Sequence, residues 1–155
     1  MTKYLIFALF FLNTNVFAGW ILDPGIYKGK GSIKDQYSNV ECTYDIKITV
    51  GQSSTNEYLV IRDIFYHNPI LCEYQSTNQF VIRDLGSGIF SVNVNNYDAE
   101  HGFCSANFCL HHLSYFNGSK VTEGIYRFGT QYTFTGMGTY AGGTMKIWNA
   151  DLTKI

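Results

Sequence analysis

The sequence predicts an all-β chain: an antiparallel up-and-down β-barrel of about 8–10 short strands, stapled by two disulfides. Three observations lead there. Residues 41–50 (ECTYDIKITV) alternate without a slip, with Cys42, Tyr44, Ile46, Ile48 and Val50 on one face and Glu41, Thr43, Asp45, Lys47 and Thr49 on the other. Strand side chains alternate sides, so this is an apolar-in, polar-out strand. One dry and one wet face belong to antiparallel sheets. Composition agrees: 15 Gly, 12 Tyr and 12 Phe stand against 2 Pro and 15% charged residues, which favours short strands and turns. Turn signals then recur along the chain, among them Gly86-Ser87-Gly88, Asn117-Gly118 and Gly129-Thr130.

Taken in order, the chain opens with an export signal. Lys3 forms a positive start, residues 4–12 an apolar run, and residues 13–18 a polar end closing Val-Phe-Ala. Cleavage is expected after Ala18. The run is shorter than the roughly 20 residues that span a bilayer, and no later run is long enough to span as a helix. Gly19 follows the cut, so no N-terminal cysteine is available for acylation. Residues 19–155 then form one domain. Losing Lys3 leaves ten of the 11 Lys and Arg against 12 Asp and Glu, a formal charge of −2. That balance gives no reason to expect nucleic acid or anionic lipid.

Pro24-Gly25 turns into a first strand, 26–33, interrupted by Gly29 and Gly31. GIYKGKGS approaches a phosphate-binding loop but lacks its spacing and its following helix. After 41–50 come a polar turn at 51–56, a strand at 58–66 and a break at Asn68-Pro69. Strands follow at 79–85 and 89–95, then a polar excursion over 96–107. Residues 108–116 and 121–128 pair across Asn117-Gly118. Residues 131–135 form a strand, 136–143 read as loose, and 144–152 close the chain. Such a meander removes its edges by closing into a barrel.

Cys42, Cys72, Cys104 and Cys109 are an even set in an exported chain, which reads as two disulfides. Three pairings are possible. The short polar CSANFC loop favours Cys104–Cys109, leaving Cys42–Cys72. The spacing is CxxxxC, not the CxxC of dithiol oxidoreductases.

With Trp20 before the first strand, the GIYKGKGS entry, the short up-and-down strands and the export signal, the chain resembles the calycin-like (lipocalin-like) barrels. In that group a tryptophan at the first strand packs on a cation from a late strand. The resemblance implies a Trp20–Arg127 pair, with Lys146 the other choice, through a cation–π contact. It also implies a cavity for a small apolar ligand. The chain departs from the group in having Gly19-Trp20 without a spacer and two further strands after Arg127.

Lining residues for that site are Tyr44, Ile46 and Ile48 from the alternating strand. VIRD occurs at 60–63 and 81–84; either both copies mark strand ends near water, or an inward Arg62 or Arg83 would meet a ligand carboxylate. A buried arginine is costly, so an acid should stand beside it. Asp98, Glu100, His101, His111 and His112 gather in sequence, but adjacent histidines diverge on a strand, and a solvated loop rather than a metal site is the reading. No nucleophile with an oxyanion partner emerges, and Ser87 lacks the surroundings of a nucleophile elbow. Asn117-Gly118-Ser119 matches a glycosylation acceptor, although the hairpin suffices to explain it. An outer-membrane barrel is disfavoured, because Arg62 and Asp63 put a charge on each face of one strand.

The expected protein is therefore secreted or periplasmic, without a cofactor and not an enzyme, binding a small apolar or amphipathic ligand. The alternative is a protein-interaction or inhibitor module acting through the 96–107 loop.

Overall fold

The computed structural model describes residues 22–68, 71–72, 75–94, 97–115 and 117–155, with only the backbone for 97–100. Trp20 and the expected cleavage point after Ala18 lie outside the described residues. Ten strands follow one another: β1 (Gly25–Asp35), β2 (Glu41–Ser54), β3 (Glu57–Tyr66), β4 (Gln75–Gly86) and β5 (Ile89–Val94), then β6 (Tyr97–Ser105), β7 (Phe108–Ser114), β8 (Lys120–Phe128), β9 (Gln131–Thr139) and β10 (Met145–Lys154). Each pairs antiparallel with its sequence neighbour, and β1 pairs with β10 from Tyr27↔Lys154 to Asp35↔Lys146. The result is a closed barrel. No described residue is helical.

The alternation in β2 holds as read, with Cys42, Tyr44, Ile46, Ile48 and Val50 all buried. Facing side chains from the other strands complete one interior core, including Phe90, Val92, Phe134 and Leu152. Both disulfides form, Cys42–Cys72 across 30 residues and Cys104–Cys109 across five. The second joins directly opposed residues of β6 and β7.

Three stretches differ from the sequence reading. β1 is not interrupted; it stays in register with β2 and β10 through Gly29 and Gly31. These glycines mark close approach rather than a bend: a Cβ on Gly31 would sit 2.6 Å from the Tyr44 ring. Residues 96–107 are mostly β6, in which exposed His101 and Phe103 alternate with buried Gly102 and Cys104. Residues 136–139 continue β9, paired on both sides. There a Cβ on Gly136 would meet the Trp148 indole at 2.5 Å, so the strand carries glycine where a ring lies flat against it.

The barrel has two distinct ends. At the lower end sit the turns at 55–56, 87–88, 106–107 and 129–130, where Gly88 and Gly129 take φ of 76° and 63°. Leu22, with no exposed surface, packs into this end. Beside it, the Tyr27 hydroxyl donates to the Asp23 carbonyl. The upper end carries the β1–β2, β3–β4, β7–β8 and β9–β10 connections, and the Cys42–Cys72 bridge ties down the second of these.

Candidate ligand cavity

Strand parity decides which polar residues enter the lumen. On β3, Val60 and Ile64 are buried, so Arg62 between them also points inward, 13% exposed. On β8, Val121 and Ile125 are buried, and Glu123 between them is 4% exposed. The two strands are separated by four others around the wall, so their side chains meet across the lumen. Arg62 Nη1 donates to Glu123 Oε1 at 2.7 Å. The guanidinium also lies 5.0 Å from the Phe80 ring centre and 5.1 Å from that of Phe134, a cation between two π faces. From β7, His111 Nε2 comes within 3.3 Å of Glu123 Oε2, but out of line for a hydrogen bond. That nitrogen and Arg62 Nε are the buried side-chain atoms without a partner among the described residues.

Burial alone would raise the Glu123 carboxyl. The Arg62 guanidinium and His111 together outweigh that, and the pKa falls to about 2. Glu123 is therefore ionised at neutral pH, and the pair satisfies two charges that neither wall could bury alone.

This ion pair forms a floor. Below it is a chamber of about 30 Å³ walled by Ile48, Val60, Ile82, Val92 and Ile125 and stopped by Leu22. Above it is a cavity of about 250 Å³ ringed by Tyr44, Tyr66, Tyr115, Tyr140 and Trp148. Tyr44 donates its hydroxyl to the Asn149 carbonyl at 2.8 Å and meets Tyr66 edge-on at 5.7 Å. Polar groups interrupt the ring: Asn78 Nδ2 donates to Ser76 Oγ, and Lys146 Nζ lies 5.5 Å from the Tyr140 ring centre. Burial pushes the phenols of Tyr44, Tyr115 and Tyr140 upward, so they remain neutral hydrogen-bonding groups. Beside the opening, a cleft of about 200 Å³ runs past Val40, Leu71 and the Cys42–Cys72 bridge, and it shares Tyr66 and Lys146 with the cavity.

With this architecture in view, solved structures can be compared. The chain shares its barrel fold with a phycobiliprotein lyase. That protein, the S-type lyase CPES from Guillardia theta, superposes with a TM-score of 0.67 over 86% of this chain and 88% of its own, at 7% identity. EF1p2_mFAP2b bound to DFHBI superposes with a TM-score of 0.46 over 85% of this chain and 93% of its own, also at 7% identity. No protein-family model matches the sequence, and no curated protein does. At such identity the lyase likeness is one of barrel fold alone.

The residues singled out from the sequence separate in space. Tyr44 lines the upper cavity and Ile48 the lower chamber, while Arg62 borders both. Ile46 is core. Arg83 is a correction: its neighbours Phe80 and Ile82 set the inward parity of β4, so Arg83 points outward, 63% exposed, and pairs with Glu57 at 2.9 Å. Arg127 sits at the lower rim, 5.8 Å from the Tyr132 ring, with Nε donating to the Gly129 carbonyl. Its expected partner Trp20 lies outside the described residues. His111 and His112 do diverge, the first toward Glu123 and the second, outside, to Thr122.

Sequence reading missed Glu123, Tyr115, Tyr140, Lys146 and Trp148 as lumenal residues. Glu123 was detectable: an acid midway between Val121 and Ile125 occupies an inward position. Lys146 and Trp148 share parity with Ala150 and Leu152 in the same way.

Proposed function

We propose that this protein binds a small amphipathic ligand in the upper cavity, outside the reducing cytosol. The observation that carries the reading is an open, aromatic-ringed chamber standing on a charged floor inside an otherwise filled barrel. The mixture of tyrosines, Ser76, Asn78 and Lys146 suits an amphipathic molecule better than a purely apolar one. At about 250 Å³, the chamber falls below the range of about 300–1,000 Å³ for drug-sized sites, so the ligand is small. Two disulfides support an oxidising compartment. Removal of residues 1–18 on export belongs to the same proposal, and the fold shared with the phycobiliprotein lyase accords with it.

Native mass spectrometry of the protein purified from its own source tests the reading. A small-molecule adduct on the wild type, lost in Ser76→Phe with an unchanged far-ultraviolet spectrum, is the expected result. An adduct retained in full by Ser76→Phe overturns the cavity as the site. The N-terminus of the exported form should be Gly19, and alkylation without reductant should label no cysteine.

A protein-interaction role has an observation of its own, on a strand face that includes Phe103 rather than on a loop. The outer face around β6–β8 exposes Ile89, Phe103 and Phe128, each 46% exposed or more. Phe103 meets Phe108 edge-on, and Phe108 stacks on Tyr126. Clustered exposed aromatics mark contact surfaces. A second protein chain in the same spectrum, with the cavity empty, would favour that role.

A further inference from the structure

We propose that the ligand is a planar aromatic acid, its ring held among the tyrosines and Trp148 and its anionic group seated on Lys146. This inference rests on the upper cavity being the binding site.

The charges lining that cavity are unequally engaged. Arg62 is already committed to Glu123 at 2.7 Å, and Glu123 is covered in turn by Arg62 and His111. A ligand cation entering from above would meet Lys146 at the opening and find the floor carboxylate occupied. A ligand anion faces the reverse situation. Among the described residues, no carboxylate comes within 4 Å of Lys146. Its register neighbour Asp35 feels the Lys146 charge, but less than it feels the backbone amides of Tyr37 and Ser38, which donate to its Oδ1 at 2.9 and 3.0 Å. The ammonium is steadied over Tyr140, which leaves its three donors available. It also sits where the chamber meets the neighbouring cleft, lining both, so an acid group there would remain at the solvent edge while the ring goes inside.

The shape argument is independent of charge. Six aromatic side chains line one small space, and their quadrupoles favour offset-stacked or edge-on contact with another ring. Gly136 permits the Trp148 indole to lie flat against β9, which keeps the lumen open on that side. A volume of about 250 Å³ admits one or two fused rings rather than an extended chain.

The probes are naphthalene-2-carboxylate and naphthalene-2-carboxamide, nearly the same shape with and without the charge. Calorimetric titration should show the carboxylate binding wild-type protein about tenfold or more tightly than the amide. In Lys146→Met, which keeps the stem and loses the ammonium, the preference should fall within about twofold while the amide binds as before. Amide and carboxylate binding the wild type equally would overturn the acid assignment and leave the cavity reading standing. A carboxylate preference that survives Lys146→Met would overturn Lys146 as the seat. If neither probe binds, the chamber itself fails as a site, and the inference falls with it. Lys146→Met is checked by its unfolding midpoint, which should match the wild type.

Discussion

The lower and upper halves of the barrel obey the same strand rules and end in opposite states. Below the Arg62–Glu123 pair, the inward positions carry Ile48, Val60, Ile82, Val92 and Ile125, and almost no space remains. Above it, the same strands and their neighbours carry Tyr44, Tyr66, Tyr115 and Trp148, and a cavity stays open. Branched aliphatic side chains interdigitate to close packing. Rigid rings with polar ends leave gaps that they cannot fill themselves. The difference teaches that hollowness here is chosen residue by residue at inward positions, not by strand number, and that a charged layer separates the half that stabilises from the half that can bind.

Breaking the layer should have the largest effect. Glu123→Leu leaves Arg62 buried without its acid and should cost roughly 3–5 kcal/mol in urea unfolding, whereas Arg62→Met/Glu123→Leu should recover most of it. Equal losses in the two variants would mean that the pair is not what joins the halves. Acid sharpens the same point. The folded pKa of Glu123 is depressed from 4.5 to about 2, so its stabilisation is complete above the ordinary carboxylate range and is lost as pH falls through the folded value. Between about pH 4.5 and 2 the wild type should lose more stability than the double variant, as read by unfolding midpoints.

Next come the bridges, one toward each end. Replacing both cysteines of the upper bridge, which encloses 30 residues, should cost about 3.6 kcal/mol on the chain-entropy relation, against about 2 kcal/mol for the lower bridge. Denaturant midpoints of the two Cys→Ala pairs give that ranking directly. The smallest expected change is Tyr115→Phe on the upper ring, within about 0.5 kcal/mol. By contrast, Ile48→Ala in the lower wall should cost roughly 2–5 kcal/mol. A costly Tyr115→Phe would show that the upper ring is core after all.

How far the sequence went follows the same division. Strand parity was readable wherever apolar and polar residues alternate, as in β2, and so were the barrel and both bridges. It was obscured where polar residues crowd a strand, as Asp98, Glu100 and His101 do in β6, and where glycine replaces side chains, as at Gly136 and Gly138 in β9, since glycine there makes room for Trp148 from the next strand. No local pattern reports that kind of long-range fit. An inward arginine could be seen to require an acid beside it, but the sequence did not separate Arg62 from Arg83. Naming Glu123, 61 residues after Arg62, needed the curvature that brings β3 opposite β8. VIRD misled at its second copy, because identical tetrapeptides can enter a strand at opposite parity: Val60 is buried, whereas Val81 is not.

The seam between β1 and β10 has a consequence for how the chain is made. Nine register pairs join residues more than 100 positions apart, so the first strand to emerge in synthesis waits for the tenth before its outer edge is covered. Contacts of such long range make closure slow. Until that seam forms, β1 offers an unpaired edge to any other strand, so the incompletely closed chain is the form most open to edge-to-edge association.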